Sequence, residues 1–444
     1  MEPIEVTLPE ILEARERRAM RQQELLTEYG LPLVSFTMNI AGPVKNSPRI
    51  RRGYQLGERL LRGQLARTRT ECVHAERIDA PTGCEGLYVV DTDAQTLKRL
   101  TEDVEAYGEL GRLFDMDVLT PEGVKLDRAV PRRCLLCGGD AKACASRRVH
   151  TVPELQARTR DILDAALEQY DAETVANLAC RALLYEVCVT PKPGLVDRDN
   201  NGSHKDMDIY TFTRSASALW PYFADCARTG RRTAGSPARE TFEALRVRGK
   251  MAEIEMLSAT GGVNTHKGAI FSMGLVCGAL GRLDREAWRN PETVLSEAAD
   301  MARGLSARDF SGDAQTAGER FFVQYGIKGV RGEAEAGFPT VLQYGLPVLE
   351  AGLSAGHSPD IAGAAALLSI LIHTHDTNML ARSDRETETA IRALVRDVLD
   401  AVPYPDAGLL RKLDAMFTRQ NLSPGGSADL LSLCWLLRFL KEET

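Results

Sequence analysis

No stretch of this chain reaches the roughly 18 consecutive apolar residues that a membrane-spanning helix requires, which excludes an α-helical span. The opening residues, MEPIEVTLPEILEARERR, lack the apolar core of a secretory signal, and export is not expected. Basic charge is also in short supply. The formal net charge is −7, whereas general affinity for nucleic acid usually rests on a basic field. No nucleic-acid partner is expected, and local basic stretches carry more meaning than the total. Ten cysteines without an export signal are expected as reduced thiols or metal ligands rather than disulfides. Internal repeats and low-complexity segments are missing as well. These absences leave a cytoplasmic protein of enzyme size, acting neither on a membrane nor on nucleic acid.

At 444 residues the chain is long enough for two or more domains, each with a sizeable core. Its character changes near residue 150. Before that point short β-rich runs alternate with helices. An amphipathic helix is predicted over 8–28, strands over 31–40, 70–79, 86–91 and 112–119, and helices over 51–65 and 94–107. From about 152 onward the periodicity is helical throughout, with Pro or Gly at many boundaries. Twelve helices are predicted, over 153–169, 172–187, 208–228, 238–258, 267–281, 291–304, 315–325, 339–354, 359–373, 384–401, 406–419 and 427–441. The run IAGAAALLSILI (361–372) is apolar nearly all round, so it should be a buried central helix. The expected fold is therefore an α+β domain over 1–155 followed by an all-α domain over 156–444.

In the first domain, GRLFDMDVL places Asp115 and Asp117 two apart in a β-like run. Alternation puts both carboxylates on one strand face while Phe114, Met116 and Val118 face the core. Such a pair suits Mg²⁺, a hard cation shared between carboxylates and substrate phosphates, as in nucleotidyl transfer. A solvated strand edge is the plainer alternative. Asp91 and Asp93 form a second D-x-D, but Asp93 reads as the N-cap of the helix that follows. Lys45, Arg49, Arg51 and Arg52 lie within eight residues around a Gly/Pro loop. Guanidinium groups bind phosphate bidentately, so this cluster can grip a polyphosphate. Cys134, Cys137, Cys144 and His150 form C-x2-C-x6-C-x5-H. That spacing can close a tetrahedral Zn²⁺ site. The alternative is a set of reduced thiols at a domain edge.

The second domain carries three polar segments among apolar helices: VTPKPGLVDRDNNGSHKDMD (189–208), GGVNTHKGA (261–269) and HTHDTN (373–378). They hold four of the chain's seven histidines. The first offers Lys192 in a rigid Pro-Lys-Pro turn, then Asp197, His204 and Asp206. The second offers Asn264, His266 and Lys267 at the start of a helix, a ready anion site. The third offers His375, Asp376 and Asn378, suited to metal binding or acid–base work. Any one such histidine is more often structural. Three segments in one helical domain read as a single site assembled from distant loops.

These motifs carry a resemblance. Through VSFTMNIAGPVKNSPRIRRGYQLG, GRLFDMDVL and CLLCGGDAKACASRRVH, residues 1–155 resemble the apo-citrate lyase phosphoribosyl-dephospho-CoA transferases, also called holo-citrate lyase acyl-carrier-protein synthases. Through EVCVTPKPGLVDRDNNGSHKDM, GGVNTHKGAIFSMG and HTHDTN, the remainder resembles the triphosphoribosyl-dephospho-CoA synthases. The resemblance implies a bifunctional transferase with ATP and 3′-dephospho-CoA as substrates and the citrate lyase acyl carrier protein (its gamma subunit) as partner. Set against those reactions, the chemistry of the residues assigns Mg²⁺ to Asp115 and Asp117, polyphosphate to Arg49, Arg51 and Arg52, acid, base and metal roles among Asp197, His204, Asp206 and Asp376, and phosphate to Lys192 and Lys267. The Gly-Ser pair that usually precedes D-x-D in nucleotidyltransferases is replaced here by Gly108 and Gly111, and the third carboxylate is unassigned, Asp127 being a guess. Two other classes stay open on the residues alone. One is a metal-dependent nucleotide phosphohydrolase built on His375-Asp376, and the other a nonenzymatic nucleotide-binding regulator.

Overall fold

In the computed structural model, residues 4–306 and 317–443 are described. The chain divides into two compact units, Met1–Gln169 and Tyr170–Thr444. None of the described helices is long and apolar enough to cross a membrane.

The first unit is built on a four-stranded sheet in the order β2-β3-β1-β4, antiparallel at every pairing. Its strands are β1 (Leu33–Met38), β2 (Glu71–Ala80), β3 (Gly83–Asp91) and β4 (Phe114–Leu119). Helices α1 (Leu8–Tyr29), α2 (Pro48–Arg67) and α3 (Ala94–Glu105) are the main ones, with short α4 (Gly108–Gly111) and α5 (Ala141–Ser146). Each boundary has a local cause. A Thr7/Glu10 capping box starts α1, and Gly30 in the left-handed region stops it. Ser47 caps α2 ahead of Pro48, and Asp93 caps α3 by accepting from the Thr96 N–H at 2.8 Å, as its position predicted.

One sheet face packs Phe36, Phe114 and Met116 against Tyr54, Leu97 and Leu163. Gly57 lets α2 approach closely, since a Cβ there would meet the Phe36 and Phe114 rings. Each fully buried ring contributes about 1.5–3 kcal/mol. The other face takes α1 through Leu25 and Leu26 on Leu33, Leu87 and Val89. Residues of β4 alternate buried and half-buried, so Asp115 and Asp117 share the face toward α1, paired across β1 with Thr37 and Ser35.

The described residues of the second unit form helices and loops and no strand. The 153–169 and 172–187 predictions merge into one helix, α6 (Val152–Cys188). Tyr170-Asp171 interrupts the apolar period but contains no breaker. Ile162 and Leu163 on α6 belong to the first unit's core, which is why the units divide inside this helix and not at 155/156. The 208–228 prediction splits into α7 (Ile209–Ala218) and α8 (Trp220–Arg232), because Pro221 has no N–H for a continuous ladder. Helices α9 (Ala238–Thr260), α10 (Lys267–Arg282) and α11 (Pro291–Ala302) follow as expected. The 315–325 helix is described as Ala317–Tyr325, its first two positions lying outside the described residues. A π-helical stretch, Val341–Gly345, lies within the 339–354 helix, ahead of Pro347. The helix Pro359–His373 is the central one expected, buried continuously from Ala362 to Ile372. Sequence periodicity missed the α-helices Gly108–Gly111, Ala141–Ser146, Gly329–Glu335 and Thr377–Arg382. Each is too short to display a period.

Candidate functional site

The loops after α6 and α9 and after the central helix, together with the N-terminus of helix Gly425–Glu442, surround a cavity of about 470 Å³. Of the residues predicted for the second unit, it gathers Lys192, His204, Asp206, Asn264, His266, Lys267, His375, Asp376 and Asn378. Asp197 does not line it. Buried to 3% exposure, Asp197 accepts from the N–H groups of Lys192 (2.9 Å), Asp199 (2.7 Å) and Asn200 (2.9 Å). It shapes the loop that carries the site.

At the cavity floor the Lys192 Nζ donates to the Glu186 carboxylate at 2.5 Å and to the Glu186 carbonyl at 2.9 Å. Both side chains are almost wholly buried. Burial pushes the Glu186 carboxyl up, and the Lys192 charge opposes that. Asp376 accepts from the Ser427 N–H (2.7 Å) and hydroxyl (2.9 Å) and from the N–H groups of Asn378 and Met379. It thereby takes the N-terminal donors of two helices. Beside it Asp429 is raised far above the usual carboxylate range by burial and by the charges of Glu186 and Asp376. Gly268, Gly425 and Gly426 admit this crowding: a Cβ on each would meet Asp429, Asn378 and Asp376 respectively.

The histidines divide in kind. His266, 3% exposed, meets the Ser215 hydroxyl through Nδ1 at 2.7 Å, and Thr265 donates to that hydroxyl. Its buried Nε2 has no partner. Burial, with Lys192 nearby, lowers its pKa to about 3. His204 stands between Ser423 (Nε2, 2.8 Å) and Arg382 (Nδ1, 3.3 Å). Arginine can only donate, so Nδ1 accepts and the proton sits on Nε2. Burial and Arg382 lower His204 to about 4. His375 turns its Nδ1 to the buried Glu388 carboxylate at 3.0 Å, and His373 stacks on Tyr344. Lys267 pairs with Glu253 at 3.0 Å and is largely exposed.

Sequence reading missed Glu186, Asp429, Glu333 and Arg382, all of which line the cavity. Pro424-Gly425-Gly426-Ser427, ahead of Asp429, was the available signal. A glycine pair opening a helix can mark a close approach as well as a boundary.

In the first unit a smaller cavity of about 170 Å³ is lined by Asp115 and Lys45 together with Arg15, Arg18 and Glu85. Lys45 donates to the Ile40 carbonyl at 2.5 Å, and burial lowers its pKa. The expected arginine grip is not assembled here. Arg49 pairs with Asp164 at 2.8 Å and lines a separate apolar cavity, while Arg51 pairs with Asp79 at 2.5 Å. Arg52 is half-buried on α2 and does not line the cavity. One turn of helix sends consecutive residues in different directions, which defeats a cluster counted along the sequence. Besides Lys45, the basic groups that reach the cavity, Arg15 and Arg18, come from α1.

Both acids of the D-x-D are engaged. Arg132 donates to Asp115 at 2.7 Å and to Glu105 at 3.0 Å, and Lys125 donates to Asp117 at 2.6 Å. Glu105 also accepts from the Met116 N–H at 2.8 Å. It shares Arg132 with Asp115, whereas Asp127 is exposed. Further along, the ligand atoms of Cys134, Cys137, Cys144 and His150 all lie within 4.8 Å of one another. This is the one group of three or more such residues so gathered among the described residues.

Comparison with known proteins bears on both units. Residues 172–444 match the family model CitG, ATP:dephospho-CoA triphosphoribosyl transferase, and residues 6–166 match CitX, apo-citrate lyase phosphoribosyl-dephospho-CoA transferase. The protein CitXG of Leuconostoc mesenteroides subsp. cremoris is 34% identical over 451 residues, 96% of each chain. Protein CitXG of Haemophilus influenzae is 36% identical, covering 96% of this chain and 95% of its own. The chain belongs to the CitXG family.

A probable 2-(5″-triphosphoribosyl)-3′-dephosphocoenzyme-A synthase of Citrobacter koseri is 41% identical over 284 residues, 94% of its own length. The family thus joins two transferases of citrate lyase prosthetic-group synthesis in one chain. The phosphohydrolase alternative fails on membership.

Proposed function

We propose that the two units carry out consecutive steps. In the second, the 2′-hydroxyl of 3′-dephospho-CoA attacks C1″ of the ATP ribose. The C1″–O bond forms, the bond to adenine breaks, the hydroxyl gives up its proton and adenine leaves with one. The product is 2′-(5″-triphosphoribosyl)-3′-dephospho-CoA, its triphosphate untouched. In the first unit, a serine hydroxyl of the citrate lyase acyl carrier protein attacks the α-phosphorus of that product. Pyrophosphate leaves, and phosphoribosyl-dephospho-CoA remains on the serine.

The observation that carries this reading is the cavity's charge. Glu186, Asp206, Glu333, Asp376 and Asp429 line it against the cations Lys192, Lys267 and Arg382. Breaking a glycosidic bond builds positive charge at C1″, and preorganised carboxylates in a low-dielectric site stabilise it. Asp429, its carboxyl raised by burial and by the charges of Glu186 and Asp376, is suited to hand adenine its proton. Asp206 and His375 lie toward solvent and are able to take the hydroxyl's proton. Lys192, Lys267 and the N-terminus of α10 meet the triphosphate. Asp197 and His204 order the first loop.

The donor types also fit Mg²⁺, which keeps one or two carboxylates beside substrate phosphates. Asp115 and Asp117 would hold it in the first unit, where it would neutralise charge developing on the departing pyrophosphate. Lys45, Arg15 and Arg18 bind the remaining phosphate oxygens. The antiparallel sheet bearing this D-x-D supports a nucleotidyl-transfer chemistry for the first unit.

Chromatography of the full chain with Mg²⁺, ATP and dephospho-CoA tests the first step. Free adenine and a triphosphorylated dephospho-CoA adduct are expected in equal amounts. ADP or phosphate without adenine would reject it.

A further inference from the structure

We propose that Cys134, Cys137, Cys144 and His150 bind one Zn²⁺, and that this metal holds Arg132 against the D-x-D strand. Three thiolates and an imidazole form a tetrahedral donor set of the softness Zn²⁺ prefers. The Sγ atoms of Cys137 and Cys144 stand 3.5 Å apart. Two sulfurs each about 2.3 Å from a tetrahedral zinc are separated by roughly 3.8 Å, whereas a disulfide requires about 2.05 Å. Their spacing is that of co-ligands.

The backbone is folded for the purpose. The Cys134 N–H donates to the Gly139 carbonyl at 2.7 Å, and the Gly138 N–H donates back to the Cys134 carbonyl at 3.1 Å. Gly138 supplies the left-handed residue this reversal needs, at φ 70°. Asp140 then caps α5, which presents Cys144. His150 arrives just ahead of the Thr151/Glu154 capping box that starts α6. Its Nε2 is buried with no hydrogen-bond partner, and one of its ring nitrogens lies within 4.8 Å of all three thiol sulfurs.

The knuckle is wired to the transferase acids. Two residues before Cys134, Arg132 donates to Asp115, to Glu105 and to the Phe114 carbonyl at 2.6 Å. Arg112 clamps the Cys134 carbonyl at 2.9 Å from the other side. Few apolar contacts secure this segment: α5 contains no buried residue. A structural zinc supplies the missing anchorage, as it does in small domains that cannot build a core. Arg132 is thus a positioning residue whose own position depends on the metal. That second statement rests on the transferase function proposed for this unit, whereas zinc binding does not.

The test measures metal first. The full chain, purified under reducing conditions without added zinc, should carry about one Zn²⁺ per chain. It should release that metal to a chromogenic chelator when its thiols are modified. Little bound zinc, and no uptake on dialysis against Zn²⁺, would overturn the site. His150→Ala and Cys144→Ser should each lose the metal. They should also lose at least tenfold in carrier labelling from supplied triphosphoribosyl-dephospho-CoA, while adenine release by the second unit is unchanged. Arg132→Met should match that loss while keeping its zinc and its unfolding midpoint. Unchanged labelling in these variants would overturn the positioning role. A zinc-loaded wild type that labels no carrier would contradict the transferase assignment and leave the metal site standing.

Discussion

His204 and His266 are held neutral where they stand, and this gives the second unit an acid-sensitive stability. Their folded pKa values, about 4 and about 3, lie below the ordinary histidine value of 6.5. Above pH 6.5 both are neutral folded and unfolded, and the contribution is complete. As pH falls through that value the unfolded chain takes up protons that the folded chain refuses, so stability drops toward the folded values. The expected slope in this window is up to about 1.4 kcal/mol per pH unit for each histidine. Denaturant titrations of the second unit's unfolding transition between pH 7 and pH 4.5 measure it. His266→Gln should flatten the profile by about one proton's worth, and an unchanged profile would contradict the assignment. At this scale the sequence announced the cavity's histidines, Lys192 and Asp376, because they sit in polar runs that break an apolar pattern. It hid Glu186 and Asp429, which occupy ordinary helical positions and acquire meaning only from what packs against them.

Among the elements, α10 does the most to place the site, since its first turn carries His266, Lys267 and Gly268 to the cavity. It is fixed by close approach to α8. A Cβ on Gly230 would strike the Gly278 carbonyl, and one on Gly281 the Ala227 carbonyl. The helices touch backbone to backbone, so a branched side chain cannot be accommodated by rotation. Gly281→Val should cost about 3 kcal/mol or more by overpacking. It should reduce adenine release while leaving carrier labelling from supplied intermediate intact. Loss of both activities together, or a stability change under about 0.5 kcal/mol, would contradict this placement. Most elements were legible from periodicity and caps: all four strands, and α1, α2, α3 and α9 through α11, stand close to where the pattern set them. Apart from the helices too short to show a period, the misses turned on whether a breaker was present. Where none interrupts the chain, α6 runs through a lapse in the apolar period. Where Pro221 stands, one predicted helix becomes two.

Across the whole molecule, an α+β unit and a helical unit match two transferase families in one chain. Long motifs made that organisation readable without a structure. The grouping of side chains inside each unit was less so: Arg49 and Arg51 are neighbours in sequence and turn to different acids. The central claim is that each unit performs one step and that the first step's product feeds the second. A crossed pair of variants tests it most directly, each assayed for adenine release and for carrier labelling with ATP and dephospho-CoA. Replacing both members of the buried pair, Glu186→Gln with Lys192→Gln, avoids stranding a lone charge. It should lower adenine release at least a hundredfold, with labelling restored by adding the triphosphoribosyl intermediate. Asp117→Asn should release adenine at the wild-type rate and accumulate that intermediate, with labelling reduced by a similar factor. Adenine release that survives the first change, or that disappears with the second, would contradict the account.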